Sequence, residues 1–249
     1  MPMLNLPKGD PLGVAVKKAI ETGDVEGLNR LLQANPDLAR ARIGCKNVAT
    51  GEGGRTLLHI AADWPGHFPN GPAIVAALVA AGADVNGHWI GAAHEETPLH
   101  WAASSDDVAV LDALLDHGAD IEANGSVIDG GTALADAVAF GQWKAARRLI
   151  ERGAKSNLWQ SAALGLMDRV AAEFAGTAKP VSDDVTNALW CACHGGQREA
   201  AEYLLTRGAD RNWIGHDKLT PLDAARRSEA HELAEWLVTQ GAKSAAQLS

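Results

Sequence analysis

The sequence predicts an all-α chain built as a solenoid of stacked helix pairs, and three observations carry that prediction. The first is the stretch His94 to Asp120, HEETPLHWAASSDDVAVLDALLDHGAD. Thr97 can cap a short helix whose first turn accommodates Pro98. Leu99, Ala102 and Ala103 give that helix a thin apolar side. Val108, Leu111, Leu114 and Leu115 form the wider stripe of a second helix, which Gly118 ends as a left-handed C-cap would. The second observation is recurrence. Thr56-Leu-Leu-His-Ile-Ala-Ala62 restates Thr97-Pro-Leu-His-Trp-Ala-Ala103, and Thr132-Ala-Leu134 and Thr220-Pro-Leu-Asp-Ala-Ala225 are further copies. The third is period: the closing glycines at 82, 118 and 153, and again at 208 and 241, recur every 33 to 36 residues. A two-helix unit this small cannot bury its own stripe, so copies must stack.

A period near 33 headed by Thr-Pro-Leu-His resembles the ankyrin repeat. The resemblance runs from about Pro11 to Lys243. It implies helix pairs with finger loops projecting from one edge, and a concave groove lined by finger tips and by the last residues of each first helix. It does not by itself name a function. The expected organisation is one domain over 1–249, with repeats near 11–41, 51–86, 92–122, 127–155, 156–176, 182–212 and 215–243.

In order, the first repeat lacks the motif and reads as a cap. Val14, Val16, Ala19 and Ile20 mark its first helix, Thr22-Gly-Asp its turn, and Val25, Leu28, Leu31 and Leu32 its second. Residues 42–55 are a polar, glycine-rich first finger. The second repeat carries about five extra residues between its helices, DWPGHFPNGP over 63–72, a stiff loop that also holds Trp64, His67 and Phe68. The next finger is lengthened and brings His88, Trp89 and His94. Another lengthened connection precedes Thr132, and the fourth repeat has Phe140 and Trp143 near its turn. The fifth repeat begins at Ser156 with no room for a finger, and a linker over 176–184 follows it. Trp159 and Trp190 are expected in the slots that hold His elsewhere. The seventh repeat is the C-terminal cap.

Composition narrows the function classes. Eight Trp stand against one Tyr and three Phe, with nine His, so the aromatic and imidazole content exceeds what a Leu/Val/Ala core needs. A net charge of −9 argues against non-specific nucleic-acid binding. No segment reads as a signal core or a membrane span, and three cysteines make no disulfide framework. A monomer in a reducing cytoplasm is expected. Cys191 and Cys193 lie two apart on a helix and so point about 200° away from each other. They match small core positions better than ligand positions. His194 is expected toward the groove. No spacing of His and carboxylates matches a metal motif, so neither metal nor cofactor is expected.

His59 and His100 read as structural, bonding backbone between repeats. Asp106 and Asp107 read first as helix N-caps. The candidate ligand-binding set gathers over the second and third repeats and their fingers: Arg55, Asp63, Trp64, His67, Phe68, His88, Trp89, His94, Glu96, Trp101, Ser105, Asp129 and Phe140. The first reading is a groove that binds a protein partner, with Trp and Arg as anchors. The alternative is an enclosed pocket for a small molecule, or an enzyme site in which His67 or His94 transfers a proton beside Asp63 or Asp107. No nucleophile elbow, phosphate loop or zinc-protease motif supports a named reaction. The two readings differ in shape: a partner needs an open groove, a small substrate an enclosed pocket.

Overall fold

A computed structural model describes residues 4–90 and 94–249. The chain is predominantly helical, as expected, and forms two compact units, residues 1–154 and 155–249. Residues 91–93, inside the lengthened second finger and at the start of the expected third repeat, lie outside the described residues.

In the first unit the helices alternate between two rows. α1 (Pro11–Glu21), α3 (Leu57–Ala61), α5 (Pro98–Ser104) and α7 (Ala133–Ala139) stack as the inner row. α2 (Val25–Ala34), α4 (Gly71–Ala80), α6 (Val108–Asp116) and α8 (Trp143–Glu151) stack behind them. Leu57, Leu58, Leu99, Leu111, Leu114 and Leu134 are fully buried at the seam between rows. The turn joining inner to outer helix has a fixed grammar. Its middle residue is left-handed, as at Gly23 and Gly141 (φ 68° and 71°), and the next residue is the outer helix's N-cap. Asp106 takes that left-handed place in the third repeat and Asp107 the cap, so Asp107 fulfils its N-cap reading by accepting the Val110 N–H at 3.1 Å.

Three local expectations are corrected here. Val14 is 56% exposed, and α1 instead buries Gly13 beside Val16, Ala19 and Ile20. Val108 and Leu115 are only half-buried, because α6 turns Val110 and Ala113 into the seam with Leu111 and Leu114. The first finger is also more than a hairpin. β2 (Arg42–Cys45) pairs antiparallel with β3 (Arg55–Thr56), and β1 (Asn5–Pro7) adds to β2 in parallel, aligning Leu6 with Ile43. The three strands span three, four and two residues, so they cap the end of the solenoid without making a sheet layer.

The motif histidines hold repeat to repeat. His59 Nε2 lies 3.0 Å from the Glu96 carbonyl, and its Nδ1 is 2.7 Å from the Thr56 hydroxyl. His100 Nε2 lies 3.3 Å from the Gly131 carbonyl, while its Nδ1 accepts the Thr97 N–H at 3.1 Å. A carbonyl partner requires Nε2 to carry the proton, and Nδ1 must then be the bare acceptor. Both rings are therefore neutral. Burial pushes His59 down to about 3 and His100 to about 4.

In the second unit α9 (Leu158–Leu164), α11 (Ser182–His194) and α13 (Pro221–Arg227) form the inner row. α10 (Met167–Ala175), α12 (Arg198–Thr206) and α14 (His231–Thr239) are their partners, and α15 (Ala245–Leu248) closes the chain. α9 starts at once after its cap Asn157, with no finger, as expected. Trp190 takes the motif slot and makes the inter-repeat bond itself, donating Nε1–H to the Leu219 carbonyl at 3.0 Å. Trp159 does not. Gln160 occupies that slot, its side chain accepting the Asn157 N–H at 3.0 Å, and Trp159 stands one residue earlier and half-buried. The linker is shorter than expected, since α11 begins at Ser182. Cys191 and Cys193 are packed in the core, where burial pushes both thiols up.

Candidate functional site

The inserted loop over 63–70 replaces the turn of the second repeat and is pinned from both sides. On one side the Asn70 amide donates to the Gly23 carbonyl at 2.9 Å. On the other, Asp107 accepts the His67 N–H at 2.5 Å, and Ser105 donates its hydroxyl to the Ala62 carbonyl at 3.3 Å. Gly66 is left-handed (φ 73°), and a Cβ there would stand 2.9 Å from the Ser105 Cβ, so the close approach of the loop to the third repeat needs glycine. The loop leaves Trp64 72% exposed at its edge.

Beside it, Asp63, Trp64, Glu96, Trp101, Ser104, Ser105, Val127 and Phe140 line an open concavity of ≈ 290 Å³ whose walls are mainly apolar. Arg55 bonds Asp63 and places its guanidinium 6.0 Å from the Trp101 ring centre. Trp101 meets the edge of His59 at 4.9 Å and lies 6.5 Å from Trp89, which stacks on His94 at 6.4 Å. The ladder of rings therefore runs from the core histidine outward to the finger. Glu96 sits within it, 8% exposed, its Oε2 accepting the Trp101 indole N–H at 3.2 Å. Burial raises both acids, Glu96 and Asp63, with Arg55 pulling Asp63 back toward its ordinary value.

Of the residues singled out from sequence, Asp63, Trp64, Glu96, Trp101, Ser105 and Phe140 share this concavity, with Arg55, Trp89 and His94 adjoining through Asp63 and Trp101. The others are elsewhere. The His67 side chain is 62% exposed and outside the lining, its Nδ1 3.9 Å from Asp107. Phe68 is half-buried in the loop. His88 bonds the Glu95 carbonyl at 2.5 Å and belongs to a second concavity with Asn86, Thr97 and Asp120. Asp129 is exposed at the tip of the following finger, with φ 52°. Asp107 is 1% exposed and already spent as cap and loop tether. The pairing of His67 with Asp107 as proton-transfer partners is therefore not assembled at the concavity, because the cap role withdraws the carboxylate.

Two residues were missed. Val127 completes the lining, next to the Ile128 and Asp129 that the finger pattern singles out. Asp136 is fully buried on α7, its Oδ1 accepting the Ser126 hydroxyl at 2.6 Å beneath that finger. Burial, with the Glu96 charge adding to it, raises Asp136 to about 7. An acid inside the apolar run ALADAVA was the visible signal.

Comparison with known proteins agrees with the fold. The family described as "Ankyrin repeats" matches in three copies, over residues 10–124, 69–160 and 162–247. The human ASB11 ankyrin repeat domain is similar in fold, with a TM-score of 0.52 at 19% identity, covering 89% of this chain and 96% of that one. No curated protein matches the sequence. Among the described residues no helix is long and apolar enough to cross a membrane.

Proposed function

This chain belongs to the ankyrin-repeat family, and from that premise we propose that it is a protein-binding module whose concavity over α3, α5 and α7 grips a partner. Ankyrin-repeat domains generally mediate protein–protein interaction, which makes a partner the first candidate for any exposed groove. One observation carries the placement: Trp64 and Phe140 line the same concavity yet are 72% and 49% exposed. Burying a large ring is worth roughly 1.5–3 kcal/mol, so a partner that covers both gains an anchor of the kind that dominates interfaces. The open form of the concavity favours a groove for a partner over an enclosed substrate pocket. We further propose that the protein works as a monomer, and in a reducing compartment, the compartment being supported by its three free, buried cysteines.

The test is affinity capture from cell extract with the wild type, the double variant Trp64→Ala/Phe140→Ala, and Ile214→Ala as a control on the second unit, where Ile214 is 47% exposed. Captured proteins are quantified by mass spectrometry, and folding is checked by circular dichroism. A set of partners lost with the double variant and retained with Ile214→Ala is the expected result. The reverse pattern would place the site in the second unit.

A further inference from the structure

The concavity has a charge imbalance that specifies more than a protein partner. Trp64, Trp101 and Phe140 supply three rings, and Glu96 supplies a buried carboxylate in the same wall. Arg55 is committed to Asp63, and His94 stacks on Trp89. Among the described residues the Glu96 carboxylate has no ion pair, and the one hydrogen bond its side chain accepts comes from the Trp101 indole. Arg55 therefore balances Asp63, while Glu96 has no arginine or lysine of its own: the neighbouring His94 is the basic group that acts on it, and the acid lines the concavity with the three rings.

We propose that the concavity recognises a basic side chain of the partner, arginine or lysine, with its cationic head at Glu96 and its stem against the rings of Trp64, Trp101 and Phe140. This rests on the protein-binding reading above. The chemistry discriminates among occupants. A cation gains from aromatic faces and from a desolvated carboxylate together, and its aliphatic stem matches apolar walls. An acidic group would meet Glu96 as a like charge. A wholly apolar side chain would seal Glu96 from water with nothing to compensate it. The net charge of −9 draws basic segments toward the surface in the same sense.

The probe is the peptide acetyl-Gly-Gly-Arg-Gly-Gly-amide, compared with the same peptide carrying citrulline, which keeps the shape of arginine and lacks its charge. A lysine counterpart separates the two basic heads. Binding is read from the indole N–H resonances of Trp64 and Trp101 in nitrogen-15 spectra, on wild type and on Glu96→Gln, which keeps an acceptor for Trp101. The arginine probe should shift these resonances saturably, and citrulline should bind at least about tenfold more weakly. Glu96→Gln should cost the arginine probe about tenfold. Equal binding of arginine and citrulline overturns the proposal using wild-type protein alone, whatever the folding of the variant. Unchanged arginine binding to folded Glu96→Gln also overturns it. If either happens while Trp64→Ala/Phe140→Ala still abolishes partner capture, the groove stands and only the cation is wrong. If capture is indifferent to that double variant, the groove reading itself falls.

Discussion

Asp107 accepts the backbone N–H of His67 from forty residues away while capping its own helix through Val110. One buried carboxylate thus fastens the inserted loop of the second repeat to the third. Its two side-chain hydrogen bonds, one on each oxygen, both come from backbone N–H groups, so it sets the geometry of loop and helix.

Removing that carboxylate should free the loop. Loss of the cap costs about 1–2 kcal/mol, and loss of a bond to a charged acceptor about 1.5–3 kcal/mol. Asp107→Ala should therefore lower unfolding free energy by about 2.5–5 kcal/mol, and the His67 amide should exchange with solvent much faster. Asp107→Asn should recover part of the stability by keeping an acceptor for Val110. A protected His67 amide in Asp107→Ala would show that the loop is held by something else.

Asp136 should make the protein less stable as pH rises. Its pKa is about 7 in the folded chain and about 3.9 when unfolded, so between those values the folded state holds the extra proton. Stability then falls with rising pH across roughly pH 4 to 7, by up to about 4 kcal/mol from this group. Asp136→Asn keeps an acceptor for Ser126 and removes the charge. In urea titrations at pH 5 and pH 8 the variant should gain most at pH 8. Equal effects at both values would mean that Asp136 is ionised throughout.

The motif histidines slope the other way. His59 and His100 are held neutral at about 3 and about 4, against about 6.5 unfolded. Their contribution is complete above pH 6.5 and is lost as pH falls toward those lower values, about 3 kcal/mol for His100 alone. Gln160 shows how an amide fills the same slot. His100→Gln should cost about 1 kcal/mol at pH 8 for the lost Gly131 bond and should flatten the acid limb of the stability profile. An unchanged acid limb would move the effect to other groups.

What could be read from sequence divides along physical lines. Thr97, His100 and Gly118 each perform one local task, a cap, a bridge and a left-handed stop, so the repeat is visible in a few letters. β1 is invisible because three residues pair with a strand nearly forty positions away. The motif slot of the fifth repeat reads one residue too early from sequence, at Trp159 instead of Gln160, because, without a threonine head, the register of that repeat rests on Asn157 and Gln160. At the site, composition announced the rings, and Trp64, Trp101 and Phe140 do line one concavity. It could not say that His67 turns away, because that follows from left-handed backbone at Gly66 and His67 and from the Asp107 tether.

The turn grammar supplies a matched pair of substitutions with different outcomes. Asp106 and Glu229 occupy the left-handed slot where Gly23, Gly141 and Gly196 stand in other repeats, with φ 53° and 57°. A non-glycine residue there carries roughly 1–2 kcal/mol of strain. Glu229 is exposed, so Glu229→Gly should relieve that strain and raise stability by about 1 kcal/mol, less the entropy that glycine adds to the unfolded chain. Asp106 has a second task. Its Oδ1 accepts the Ala145 N–H at 2.7 Å, capping α8 from the neighbouring repeat where the Gln142 side chain makes no cap bond. Losing that bond costs about 1–2 kcal/mol, so Asp106→Gly should be neutral or destabilising despite the same backbone relief. Thermal melts of the two variants should move in different directions. If both rise equally, the Asp106 cap on α8 contributes nothing, and the slot is governed by backbone conformation alone.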